Sequence, residues 1–432
     1  MNLKQLVLHN FRCFEKLEVE FHDRLTVIVG ANGAGKTTVL EAAAVAAGTL
    51  LYSFDGIRLR TIDKNDAHNK YYSMGSVIDV QPQYPVEVFA YGNIDGKMTP
   101  WMRALNGENG KTTVVDAREM TDISGAYRKK LMNGDASLIL PVIAYYGTGR
   151  MWDYHREKKS DTFKKNTRTN GYIDCLDGTA NVKLMMNWFR KMARRDLDEK
   201  IPSPEFSAVR GAMERCFALM TGITDVKVKL DLDTSEIVII YQDEKEGKVK
   251  IPLNQLSDGY KGTISLIADI AYRMAVLNPQ LSERVLSETD GIVLLDEVDL
   301  HLHPAWQQRV IYDLINIFPK VQFIVTTHAP AVIQSVKSEN LMILKDYQIM
   351  NAGSQVYGKE VNAVLNEIMG VTERPPEVSK LFKSFYSLLE KKEFRLAEQI
   401  LDKIDKLRDY HDPEVAGCRV KLKLERIRGG QK

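Results

Sequence analysis

Lys36 and Thr37 close the run Gly30-Ala-Asn-Gly-Ala-Gly35-Lys36-Thr37, which fits G-x-x-x-x-G-K-[ST]. A loop of this kind turns backbone amides toward phosphates, extends its lysine to the β and γ oxygens and offers a hydroxyl to Mg²⁺. Asn32, Gly33, Gly35, Lys36, Thr37 and Thr38 are therefore the expected contacts to ATP, and Thr37 is also an expected Mg²⁺ ligand. Much later in the chain, Leu294-Leu295-Asp296-Glu297 puts two carboxylates at the end of an apolar run. Successive side chains of a strand point to opposite faces, so the two acids are expected to divide the work: Asp296 to the metal, Glu297 as general base for the attacking water. His328 follows a second apolar run, residues 321–325, through Thr326 and Thr327, at the place of a γ-phosphate sensor.

These groups need elements to hold them. Leu3, Leu6 and Leu8 alternate, as do Leu17, Val19 and Phe21, and residues 25–29 form an apolar strand that feeds the glycine loop. Residues 38–51 read as a helix buried on both sides. Residues 292–295 and 323–325 are short and wholly apolar, the pattern of strands covered on both faces of a parallel sheet, and their alternation with helices predicts an α/β fold. Between the two halves, residues 52–250 read as an inserted mixed and helical lobe, with helical periodicity around 182–192 and 206–220 and a hairpin over 226–241. The expected division is 1–51 with the glycine loop, 52–250 as the insert, 251–372 as the second half of the head, and 373–432 as a helical subdomain. Within that subdomain a pair of helices is expected to meet at a turn near Lys391-Lys-Glu-Phe394, with a third helix from about 413 to 427.

With 432 residues, 44% apolar and 27% charged, the chain has the composition of a globular protein with room for two or three domains. The absence of an apolar run of membrane-spanning length predicts no membrane partner and a cytoplasmic address. Cys13, Cys175, Cys216 and Cys418 are scattered without a CxxC pair and read as reduced thiols. A net charge of +2 is nearly neutral, so any basic surface must be local. The basic stretch from Arg150 to Arg168, with Trp152, Tyr154 and Phe163 interleaved, is a candidate nucleic-acid contact or a solvated loop. The basic tail from Arg419 to Lys432 has the same two readings. Asn106-Gly-Glu-Asn-Gly-Lys-Thr-Thr113 mimics a phosphate loop but lacks the spacing and the preceding strand, and reads as a turn. His301 and His303 alternate, yet no third ligand accompanies them, so a metal site is not favoured there.

Leu256-Ser-Asp-Gly-Tyr260 resembles the LSGGQ signature of ABC-type ATPases, and together with Asn10-Phe11-Arg12 the set resembles the RecF, SMC and Rad50 branch. Ala144-Tyr-Tyr-Gly-Thr-Gly-Arg150, Leu256-Ser-Asp-Gly-Tyr-Lys-Gly262, Val298-Asp-Leu-His-Leu-His-Pro304 and Ile368-Met-Gly-Val-Thr-Glu-Arg-Pro-Pro376 look more closely like the PtuA-type ATPases of the Septu anti-phage systems, also associated with some retrons. The resemblance spans most of the chain. It implies an ABC/SMC-like P-loop ATPase head with a mixed N-terminal sheet, an inserted helical lobe and a C-terminal helical hairpin. It further implies a homodimer, and a higher oligomer built on it, in which Ser257 and Gly259 of one subunit meet the γ-phosphate held by the other. Asp299 matches the D-loop position, and Arg12 matches an arginine that approaches the nucleotide. The implied partner is a PtuB-like HNH nuclease, since this chain shows neither an HNH cluster nor a Toprim pattern. A glutamine for the Q-loop cannot be placed; residues 145–150 occupy the junction where one is expected. The alternative is a RecF/SMC-like DNA repair ATPase that binds DNA through its head dimer, and a third reading is a nucleotide-binding module without turnover. The C-terminal hairpin reads equally as a cap on the ATPase or as a docking surface.

Overall fold

The computed structural model describes residues 1–151, 167–178, 182–243, 247–351, 357–370, 375–407 and 413–428. They divide into two compact units, Met1–Lys359 and Glu360–Lys432. Most of the basic stretch from 150 to 168 therefore lies outside the described residues, as do residues 371–374 of the Ile368 segment and the end of the basic tail.

The first unit starts with β1 (Asn2–Phe11), β2 (Phe14–Glu20) and β3 (Leu25–Gly30), followed by α1 (Lys36–Ala47). β1 and β2 have one buried face, as their alternation requires, while β3 is buried from Leu25 to Val29. A ribbon of β4 (His68–Met74) and β5 (Val77–Gln83) comes next, and then β6 (Val86–Ile94) and β7 (Lys97–Leu105). β6 pairs with β1, giving a four-stranded sheet of order β2-β1-β6-β7, so some of the stretch beyond residue 51 is built into the N-terminal sheet. After β7 the Asn106 segment is a loop, closed by a hydrogen bond from the Gly110 amide to the Gly107 carbonyl.

α2 (Arg118–Met132) leads to β8 (Val142–Tyr146), and α3 (Val182–Glu199) and α4 (Pro204–Thr221) follow. The expected hairpin gains a third strand, with β9 (Lys227–Leu230), β10 (Ile237–Asp243) and β11 (Gly247–Pro252) all antiparallel. α5 (Asp258–Leu277) starts within the signature motif. The second half adds α6 (Val285–Glu288), β12 (Gly291–Leu295), α7 (Pro304–Gln307), α8 (Val310–Ile317), β13 (Val321–Thr327), α9 (Pro330–Ile333), β14 (Leu341–Lys345) and β15 (Gln348–Asn351).

The central sheet has six strands in the order β15-β14-β3-β13-β12-β8. All its pairs are parallel except the edge pair β14–β15. The registers Leu295↔Tyr146, Leu295↔Val325, Val29↔Thr327 and Gly30↔Leu344 bring the strand ends that carry the chemistry to one edge. Ligands of open α/β sheets bind at such carboxyl ends. Gln322, 1% exposed, joins the two sheets: its side chain accepts from the Leu3 amide at 2.7 Å and donates to the Leu3 and His22 carbonyls at 2.7 and 2.8 Å.

The second unit holds α10 (Val361–Glu367), α11 (Pro376–Glu390), α12 (Phe394–Lys406) and α13 (Pro413–Arg428). Its core comprises Phe382, Phe385, Leu389, Phe394, Ala397, Leu401, Ile404, Val415, Cys418 and Leu422. Lys392, at φ 60°, makes the turn between α11 and α12. Leu396 and Leu407 lie outside that core and are 48% and 53% exposed. Arg419 pairs with Asp402 and Asp405, and Arg426 with Glu398, so the described portion of the basic tail packs as a helix inside its own unit.

Candidate functional site

β3 ends at Gly30, and the chain turns through Gly33 at φ 79° and Gly35 at φ 102° before α1 begins at Lys36. Gly35 leaves no alternative residue: a Cβ there would lie 2.4 Å from Phe14 Cζ and 2.8 Å from Cys13 Sγ, in a backbone conformation that side chains rarely adopt. Asn32 and Gly33 are exposed, Lys36 and Thr38 are buried, and Thr37 is exposed. Lys36 folds back over the loop, donating from Nζ to the carbonyls of Gly30 and Ala31, both at 3.0 Å. Burial lowers its pKa, against the upward pull of Asp296, Glu297 and Asp299. A buried ammonium group satisfied only by carbonyls is ready to exchange them for anionic oxygens.

Thr37 and Asp296, 259 residues apart, meet directly: the Thr37 hydroxyl donates to Asp296 Oδ2 at 2.7 Å. The second carboxylate oxygen accepts from Thr326 Oγ1 at 2.5 Å, and that same hydroxyl oxygen accepts the Glu297 amide at 2.8 Å. The Asp296 amide donates to the Tyr146 carbonyl at 2.8 Å. Thr326 therefore fixes both acids at once, a role the sequence does not reveal, since a threonine in an apolar strand has no distinguishing mark. Thr37 and Asp296 are hard oxygen donors of the type Mg²⁺ takes while it keeps several of its waters, so the residues present fit that ion.

The expected reason for the division between the acids does not hold. β12 ends at Leu295, and Glu297 sits in a bend at φ 48°, so strand alternation no longer applies where the acids lie. What separates them is the bend itself, with Asp296 2% exposed and Glu297 half-buried. His328 follows β13 and is also half-buried. Burial and the nearby Lys36 lower its pKa, opposed by Glu297, Asp299 and Asp296, which places the imidazole among the same groups. Thr327 donates to Asp299 Oδ1 at 2.5 Å and accepts the Ala329 amide at 3.0 Å, shaping the turn that presents the histidine.

Arg12, at φ 52° in the turn between β1 and β2, is already engaged: it pairs with Glu41 of α1 and, at 2.7 Å, with Asp66. Arg60 joins the same Glu41 at 2.7 Å and lies over the Tyr145 ring at 5.3 Å. Arg12 is thus tied to the helix that follows the phosphate loop. Asp66 and Glu41 were not anticipated, because nothing local marks them as its partners.

The signature motif lies at the start of α5. Ser257 is its N-cap residue and is exposed together with Asp258, while Gly259 is buried. A Cβ on Gly259 would stand 2.7 Å from the His301 carbonyl oxygen, and the Tyr260 ring meets Trp306 at 4.2 Å in an edge arrangement. The motif therefore rests on the segment that follows the acidic pair. His303 caps α7, accepting the Ala305 amide at 3.3 Å.

A buried polar chain links that helix to the sheet. Tyr146, the last residue of β8, donates its hydroxyl to Asp269 of α5 at 2.7 Å, and Arg273 Nε donates to the same carboxylate oxygen at 2.8 Å. Arg273 also reaches the Gly171 and Ile173 carbonyls at 3.0 and 2.9 Å. Asp269 and Arg273 are 0% and 2% exposed. A clue was present in the sequence: an Asp and an Arg four residues apart inside an otherwise apolar helix cannot be buried unless they pair.

A family described as "AAA domain" matches residues 5–207, and one described as "AAA domain, putative AbiEii toxin, Type IV TA system" matches residues 176–334. The chain is similar to the Retron Vc95 probable ATPase of Vibrio cholerae, 25% identical over 90% of this chain and 84% of that one. It is similar also to Septu protein PtuA of Bacillus thuringiensis, 24% identical over 92% of this chain and 91% of that one. Among solved structures, an SMC head bound to the C-terminal winged-helix domain of ScpA is similar at TM-score 0.49 and 17% identity, over 81% of this chain and 98% of that one. No helix among the described residues is long and apolar enough to cross a membrane.

Proposed function

We propose that this chain, a relative of the PtuA-type and retron ATPases along nine-tenths of its length, binds and hydrolyses ATP at a site completed by a second copy, and so controls a separate HNH nuclease in anti-phage defence. The observation that carries the ATPase activity is the junction of Thr37, Asp296 and Thr326 next to the buried Lys36. Lys36 would exchange the Gly30 and Ala31 carbonyls for phosphate oxygens. Thr37 and Asp296 would hold Mg²⁺, which supplies charge neutralisation to the β and γ phosphates. Glu297, held by its amide to Thr326, would accept the proton of the attacking water, and His328, neutral at pH 7, would donate to the γ-phosphate. Support for a second copy comes from the exposure of Ser257 and Asp258 at the start of a twenty-residue helix, where a phosphate held elsewhere could meet them.

Substituting Glu297→Gln tests this directly. Phosphate release is expected to fall by about 10²–10⁴-fold, as for loss of a general base, while ATP is retained and the native mass moves to that of a dimer. Unchanged ATP consumption, or a monomer under all nucleotide conditions, would sink the composite site. The nuclease half is tested separately by purifying the chain with the products of its neighbouring genes: an HNH protein should accompany it, and a clean preparation without one removes that half of the proposal.

A further inference from the structure

The turn between β14 and β15 sets an aromatic ring beside the phosphate loop. β14 runs parallel to β3 with Leu344 opposite Gly30, and a Cβ on Gly30 would stand 2.4 Å from the Leu344 carbonyl oxygen. Lys345 pairs with Gln348, so Asp346 and Tyr347 alone make the turn, just beyond the level at which β3 becomes the phosphate loop. Both have positive φ, 50° and 60°. Two-residue hairpins of this hand favour Gly, Asn and Asp, and a tyrosine held there is at a disfavoured position of the kind that gathers at ligand clamps.

The Tyr347 ring and the Phe14 ring meet edge to face, 6.1 Å between centroids and at 85°, and Tyr347 is 50% exposed. Phe14 is itself buried against Gly35, and Cys13 Sγ lies 3.9 Å from Thr38 Oγ1, so the turn between β1 and β2 packs against Gly35 and Thr38. In a phosphate loop the phosphates lie at the helix N-terminus. At that end Phe14 packs on Gly35, and the half-exposed Tyr347 ring packs on Phe14.

We propose that Tyr347 is the stacking platform for the base of the nucleotide bound at the phosphate loop. The assignment rests on the ATP site proposed above and adds to it a residue that reads the base while leaving the phosphates to Lys36 and Thr37. Every base has a π-face, so this contact would add affinity without strict choice among bases.

Affinity for Mg-ATP and for Mg-tripolyphosphate, which has the phosphates but no base, is measured by calorimetry on the full chain and its variants. Tyr347→Ala is expected to weaken ATP about tenfold, the order of one base–aromatic stack, and to leave tripolyphosphate unchanged. Tyr347→Phe should bind both as the unaltered chain does. Equal ATP affinity in Tyr347→Ala, or an equal loss for both ligands, overturns the platform. An unaltered chain that binds tripolyphosphate but gains nothing from the nucleoside also overturns it while leaving the phosphate site standing. If the unaltered chain binds neither ligand, the ATP reading fails and this assignment with it.

Discussion

The phosphate-loop side of the site and the signature side are built in opposite ways. On the first, Lys36 and Asp296 are 6% and 2% exposed, and three groups are already hydrogen-bonded: Lys36 to carbonyls, Thr37 to Asp296, Asp296 to Thr326. On the second, Ser257 and Asp258 stand in solvent, and the packing begins at Gly259 and Tyr260. The contrast teaches where organisation is needed in advance. Groups that would meet phosphate and metal in their own chain are held by a sheet edge, whereas groups that would meet a partner's phosphate are left exposed on a helix.

The largest test of this contrast pairs one variant from each side. Lys36→Ala should lose ATP binding and turnover together, and Ser257→Arg should lose turnover while each chain still binds ATP. Mixed in equal amounts, the two inactive proteins should recover about a quarter of full activity: half the dimers are mixed, and each has one intact site. No recovery would mean that the site is complete within one chain. Phosphate release and equilibrium ATP binding on the same samples decide it.

A smaller effect is expected at the link between the two sides. Tyr146→Phe removes only the hydroxyl that Asp269 accepts and leaves a fully buried carboxylate one partner short, which should cost about 1–3 kcal/mol in denaturant unfolding. The same change should lower kcat more than ATP affinity, since the Tyr146 backbone that holds Asp296 is untouched. Equal loss of both parameters would make the network a matter of packing alone.

The smallest effect is set by pH. Burial holds the His328 pKa below its ordinary value, so the ring is neutral at pH 7 and takes its proton only on further acidification. Its contribution to turnover should be level from neutral pH upward and change only on the acid side. His328→Gln, which keeps a donor and cannot titrate, should flatten that acid limb. A limb that persists belongs to another group.

Much of the phosphate-loop side was legible because its signals are local. The glycine spacing, the apolar strand before it and the helix after it sit within about two dozen residues, and their periodicities need no tertiary knowledge. The two acids were legible as a pair, but the reason for their separation was not, because strand alternation was extended two residues past the true end of β12. The Tyr146–Asp269 contact joins residues 123 apart, and no local period records such a pairing. The same limit explains why β6 and β7 were not foreseen in the N-terminal sheet: alternation shows that a strand has a buried face and says nothing of which strand it pairs with.

Gly259 abuts the His301 carbonyl, so each chain's signature sits on the segment that leaves its own acidic pair. In a two-chain assembly that motif would serve the other chain's ATP, which gives it two allegiances, one by covalent neighbourhood and one by ligand. A rearrangement at one acidic pair would then be felt first across the interface. Such an assembly would count its nucleotides two at a time, and a shortfall below a quarter in the mixed-variant measurement would report how strictly it does so.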